Sequence, residues 1–276
     1  TLSGGITNAG LIGGTRYAGI NAYQSALTGG INNSGTIGGG TYGINVRSGS
    51  VLTGGIYNAG LISSSGEGIG IYGSTLSDGI TNSGTILGVV GDGLEVKIGS
   101  TFAGGLHNSG LISASAANAK GFMLSESALS GGILNTGTIT GNSAGVGVYT
   151  SQLVGGITNA GLIAGAYSGI WVHQTSLSGG LKNTGSITGG QLGIVVNESN
   201  VVGDISNLGT ISAGTVSGSY YTGSASGTYF KGSSAGLYLL NSSVSGAIVN
   251  DGQIASTGMA GVLLRTSTIT NGLENS

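Results

Sequence analysis

The chain has 276 residues, with no cysteine, no proline, 61 glycines, a formal net charge of -2 and only 6% charged residues. Those values exclude a disulfide framework, a thiolate metal site, collagen and a basic footprint for nucleic acid. With 38% hydrophobic residues and a mean hydropathy of +0.32, the chain has enough apolar surface for a continuous core, so glycine-rich disorder is excluded. No apolar run reaches the roughly 18 residues needed to span a membrane.

The stretch Gly4-Gly5-Ile6-Thr7-Asn8-Ala9-Gly10-Leu11-Ile12 returns in close variants about every 24 or 25 residues. Asn8 is its fixed point, repeated as Asn33, Asn58, Asn82, Asn108, Asn135, Asn159, Asn183, Asn207, Asn250 and Asn275. Cutting before each Leu-Ser-Gly-Gly-like start gives coils 1–25, 26–50, 51–74, 75–100, 101–127, 128–151, 152–175, 176–199, 200–242 and 243–267, with a fragment from 268. Coil nine alone is long.

Each coil carries three apolar segments of period two, which predict short strands rather than helices. The first runs through Leu2, Gly4 and Ile6 and ends at Asn8. The second centres on Ile12 and its copies, from Ile37 to Ile254. A variable bend such as Gly13 to Ala18 follows, and then a Gly-apolar-x-apolar segment such as Gly19-Ile20-Asn21-Ala22. No connection is long enough for a crossover helix, so each strand must pair with its equivalents in the coils above and below.

The expected fold is therefore all-β: a right-handed parallel β-helix of three sheets, about ten coils of 24–27 residues, forming one domain over 1–276 with a loop insertion at 213–235. Ten coils spaced about 4.8 Å apart make a rod of roughly 50 Å. Low charge suits such a stack. Like charges repeated at that spacing repel by roughly 1 kcal/mol even in water, whereas Ser, Thr, Asn and Gly do not. The asparagine column predicts a corner residue tolerating positive φ and a hydrogen-bonded ladder from coil to coil. Gly10, Gly19 and their copies mark places where a side chain does not fit or φ is unusual.

Segments such as Gly30-Ile31-Asn32-Asn33-Ser34-Gly35-Thr36-Ile37 and Gly79-Ile80-Thr81-Asn82-Ser83-Gly84-Thr85-Ile86 resemble the repeats of bacterial autotransporter passenger domains and related secreted surface proteins. The similarity covers nearly the whole chain and bears on fold and export route rather than activity, since that family includes adhesins, biofilm fibres, toxins and hydrolases. It implies an extracellular or cell-surface location. It also implies a longer parent with a signal peptide and a C-terminal barrel, of which this chain is expected to be a mature or excised stretch.

No catalytic, cofactor or metal site is expected. The resemblance to pectin-degrading and tailspike β-helices implies clustered Asp, Glu, Arg or Lys on one face, yet the nine acids are scattered. Glu67 with Asp92, in the bends of neighbouring coils, is the nearest approach to a pair. His107 and His173 fall in different columns of distant coils, and glycine-rich matches such as Gly66-Glu67-Gly68-Ile69-Gly70 lack the following helix of a phosphate loop.

Candidate contact residues lie where the repeat is broken. The coil-nine insertion holds Tyr220, Tyr221, Tyr229, Phe230 and Lys231, which either reach out as a contact loop or fold back over the wall. The outward column of the third segment changes from Asn21, Asn45, Gly70 and Glu95 to Met123, Gly147, Trp171, Val195, Tyr238 and Leu263, an apolar stripe that the insertion or a neighbouring rod would cover. Leucine alternates with a small polar residue along Leu11, Thr36, Leu61, Thr85 and Leu111, from duplication of a two-coil ancestor or as a lateral seam.

The expected function is a structural or adhesive segment of a secreted bacterial surface protein or extracellular fibre, a rigid spacer or assembly unit. Its expected partners are further copies, end to end or laterally, or a protein or glycan on a host or neighbouring cell. The alternative is a carbohydrate-binding or carbohydrate-degrading β-helix that uses the coil-nine loop.

Overall fold

The computed structural model describes residues 1–214 and 234–276. The described residues form a parallel β-solenoid of about ten turns, with no helix. Every strand pairs in parallel with the equivalent strand of the next coil, and four sheets run along the stack.

Sheet I begins with Ile6–Asn8 and pairs Ile6 with Ile31 and Asn8 with Asn33. Sheet II begins with Leu11–Gly14 and pairs Ile12 with Ile37. Sheet III begins with Ala18–Tyr23 and pairs Ile20 with Ile44 and Ala22 with Val46. Sheet IV begins with the two-residue strand Ala26–Leu27 and pairs Leu27 with Leu52. Each coil thus points five aliphatic or aromatic side chains and one asparagine inward, and most of them are wholly buried. Burying each large apolar side chain stabilises the stack by about 1.5–3 kcal/mol before chain entropy is subtracted.

Four sheets arise from three expected segments because the first is broken at its glycine pair. Gly5, Gly30, Gly55 and Gly79 have φ of +66°, +70°, +67° and +81°, and a Cβ on Gly30 would collide with the Gly54 carbonyl of the next coil. The chain turns there, which puts Leu27 on sheet IV and Ile31 on sheet I. This corner, rather than the asparagine, requires positive φ. Asn33 and its copies end their sheet I strands without left-handed backbone. Gly10-type and Gly19-type glycines are set by space: a Cβ on Gly35 would collide with the Gly10 carbonyl, and one on Gly43 would lie 2.6 Å from the Gly68 oxygen.

The bend between sheets II and III is shorter than expected, because Gly13 and Gly14 belong to the sheet II strand. At the corner from sheet III to sheet IV a left-handed residue recurs whatever its type: Gln24, Ser48, Gly73, Ile98, Glu126, Thr150, Gln174, Glu198, Asn241 and Thr266 all have positive φ. Stack geometry overrides local preference at this point, since most non-glycine residues resist this region by about 1–2 kcal/mol.

Two side-chain ladders hold the coils in register. Asn8 Nδ2 donates to Asn33 Oδ1 at 2.8 Å, and the chain of donation continues through every copy to Asn275. Each asparagine from Asn8 to Asn207 also donates to the carbonyl two residues on and to a carbonyl of the next coil, as Asn135 does to Gly137 and Leu162 at 3.2 and 3.1 Å. The second ladder is made of hydroxyls. The Ser50 backbone N–H donates to Ser74 Oγ at 3.2 Å and that of Ser74 to Ser100 Oγ at 3.3 Å, in a series from Ser25 to Ser267 with Thr175 as one rung. Coil nine does not interrupt this register: Ile211 pairs with both Ile187 and Ile254, and Asn207 donates to Asn250 across 43 residues.

Candidate functional site

The outer face of sheet III gathers most of the side chains with distinctive chemistry. Its strands are six residues long in most coils, the longest of the four sheets, so two or three side chains per coil project outward. One outward column reads Tyr23, Arg47, Tyr72 and Lys97 in successive coils, an alternation of aromatic and cation set by register. The Arg47 guanidinium lies over the rings of Tyr23 and Tyr17, 4.8 and 5.1 Å from their centroids, and Lys97 Nζ lies 5.4 Å from that of Tyr72. Tyr17, Tyr42 and Tyr72 form a row of edge-to-face rings 5.5 and 5.8 Å apart.

Glu95 joins the row at its far end. It accepts from the Tyr72 hydroxyl at 2.5 Å and from Lys97 Nζ at 2.7 Å, which is the one ion pair among the described residues. The Tyr72 ring reaches over Gly70, where a Cβ would come within 2.5 Å of it, so the glycine of Gly70-Ile71-Tyr72 makes room for the ring. Burial, followed by the Glu95 charge, raises the Tyr72 pKa well above the usual phenol range, so the phenol stays a donor. Burial is also the main cause of a raised pKa at Glu67, with the Glu95 charge adding to it. For Lys97, burial acts to lower the pKa, but the Glu95 hydrogen bond and charge outweigh it and the net direction is up. Tyr17, Tyr42, Arg47, Glu67, Tyr72 and Lys97 line a cleft of about 430 Å³.

Glu67 and Asp92 are drawn into different roles. Asp92 is buried and its Oδ1 accepts the Lys120 backbone N–H at 2.6 Å, so it serves the joint between two coils. Its pKa is pushed up to about 7 by burial, against the pull of Lys120. Glu67 lies along Gly91 at the cleft, where a Cβ on that glycine would be 2.7 Å from the carboxylate.

The later half of the same face is apolar and buried. Trp171 and Tyr238 are 2% and 1% exposed, in a second apolar cluster with Ala144, Tyr149, Tyr167, Leu192, Val195 and Ala235. Met123 is half-buried at its margin. The stripe is therefore covered within the chain at Trp171, Val195 and Tyr238. Among the described residues, the Tyr149 ring, beside Gly147, and the Tyr167 ring flank Trp171 with centroids 6.0 and 5.4 Å away. His173 is buried beside them, with Nδ1 2.8 Å from Asn197 Nδ2, and burial lowers its pKa. The insertion residues Tyr220, Tyr221, Tyr229, Phe230 and Lys231 lie outside the described residues.

Two features escaped the reading of the sequence. The hydroxyl ladder shows as a Ser or Thr directly after the left-handed corner residue, or two residues after it at Ser50 and Ser100, a signal hidden by the abundance of serine. The tyrosine row was missed because Tyr17 sits in a bend and Tyr42 in a column whose other members, Ala18 and Glu67, are not aromatic. Among the described residues no three His, Asp or Glu side chains converge to hold a metal ion. No protein-family model, curated protein or solved structure matches the chain.

Proposed function

We propose that the chain is a rigid segment of a secreted bacterial surface protein or extracellular fibre, acting as a spacer or adhesive unit. The observation that carries this reading is the unbroken asparagine ladder, ten donor-to-acceptor steps of 2.6–2.8 Å from Asn8 to Asn275. A rod locked by side-chain bonds at every coil resists shear between coils, which is the mechanical demand on a spacer. The resemblance of Gly30–Ile37 and Gly79–Ile86 to autotransporter passenger repeats adds the cell-surface location.

Antibodies raised against this chain test the proposal on intact and on lysed cells of the native host. Labelling of intact cells, removed by external protease, is the expected result; labelling only after lysis refutes it. Exchanging the segment in the parent protein for an equal number of plain coils then separates the two roles, because a spacer keeps attachment and an adhesive unit loses it.

A further inference from the structure

The cleft on sheet III is built more like a receptor than like a covered wall. Arg47 takes part in no ion pair among the described residues, and its Nε is buried without a hydrogen-bond partner. Two residues earlier on the same outward face, Asn45 Oδ1 is also buried and unpartnered, while its Nδ2 donates to the Tyr17 hydroxyl at 2.7 Å. An unmet guanidinium donor and an unmet amide acceptor next to one cleft are costly in a resting wall, at about 1–3 kcal/mol each. The cations differ in a telling way: Lys97 is neutralised by Glu95, whereas Arg47 is held between two tyrosine rings with its charge unanswered.

We propose that this cleft binds a short saccharide bearing a carboxylate, with Arg47 as the anchor for the acid group. Arginine's fork matches a carboxylate in a two-point hydrogen-bonded pair, and the flanking rings shield that pair from water. Tyr17, Tyr42 and Tyr72 offer ring faces and edges for the C–H side of a sugar, together with phenol groups for its hydroxyls. Glu67, across the cleft, is the acceptor for further hydroxyls. The lining is aromatic and polar with Ile98 as its single aliphatic member, which suits an amphipathic sugar ring better than a lipid or an apolar peptide. A volume of about 430 Å³ lies within the range of small-ligand sites, roughly 300–1,000 Å³. The site goes beyond the rod reading, since a spacer needs no such cleft.

The test is an amide-resolved NMR titration of the whole chain with cellobiouronic acid against cellobiose and with sialyllactose against lactose, matched pairs that differ by the acidic group or acidic sugar. At least one acidic member is expected to shift the amides of Ser48, Gly73 and Ile98 at the cleft, with its neutral counterpart at least about tenfold weaker. Arg47→Gln should abolish the shifts while leaving the melting temperature and the Trp171 emission unchanged, and Lys182→Gln, on exposed sheet I, should leave binding intact. If Arg47→Gln melts early, the map of shifted amides in the unmodified chain and the partial binding expected of Arg47→Lys decide the matter. The proposal is overturned if neither acidic saccharide shifts those amides at about 10 mM. It is equally overturned if the neutral partners bind as well, if only a sulfated lactose binds, or if a folded Arg47→Gln binds undiminished. None of these outcomes bears on surface labelling, so the two proposals fail separately.

Discussion

Asn135 sits at the middle of the asparagine ladder and is fully buried. Its Oδ1 accepts from Asn108 at 2.8 Å, and its Nδ2 donates to Asn159 at 2.8 Å and to the Gly137 and Leu162 carbonyls. Asn135→Ala leaves Asn159 Oδ1 buried with no donor, which costs about 1–3 kcal/mol. The other lost bonds add about 1 kcal/mol and the small cavity a similar amount, so the expected loss is about 4 kcal/mol. Asn275→Ala in the same chain should cost under about 1 kcal/mol, because Asn275 is exposed and the Asn250 amide it serves keeps the Gly252 carbonyl. Asn135→Asp adds a sign to the test. A buried carboxylate facing Asn159 Oδ1 has a raised pKa, so its folded form holds a proton that the unfolded chain has released. Stability is then highest below the unfolded pKa and falls as pH rises through the folded value. Urea unfolding followed by far-ultraviolet circular dichroism and Trp171 fluorescence, with hydrogen exchange to localise any partial unfolding, measures all three variants. Equal losses for Asn135→Ala and Asn275→Ala, or an Asn135→Asp variant indifferent to pH, would refute the ladder as a source of stability.

Other outcomes follow from single residues. Asp92 is the natural counterpart of the engineered acid: with its pKa raised from 3.8 to about 7, the native state holds a proton between those values that the unfolded state lacks. Stability should therefore fall from about pH 4 to pH 7 by up to about 4 kcal/mol, and Asp92→Asn, which keeps the acceptor for Lys120, should remove the slope in pH-dependent urea midpoints. Ile98 is a β-branched residue at φ +63° and 60% exposed, so Ile98→Gly should stabilise the chain by about 1 kcal/mol in the same assay. Trp171 should emit as a buried indole and resist iodide quenching until unfolding, and Trp171→Ala should cost about 3–5 kcal/mol; emission typical of water-exposed tryptophan would contradict its packing between Tyr149 and Tyr167.

Repetition is what the sequence determined by itself. Eleven asparagines at one register and an isoleucine column from Ile12 to Ile254 leave no arrangement but stacked parallel coils, because a period of 24 or 25 residues without helix-length connections can satisfy its backbone only between coils. The tertiary structure alone decided where the corners fall and what covers the outside. Gly5-type glycines look like strand interior in an alternating pattern, but the next coil's carbonyl leaves no room for a Cβ, and the strand breaks there. Ile98 and Glu126 take left-handed backbone that no local preference predicts, since the coils above and below impose it. The cleft was illegible for a related reason. Its Arg47, Tyr17 and Tyr72 come from three coils, and a residue on the outside of a sheet is exposed or covered according to side chains one coil away, a distance that strand periodicity does not record.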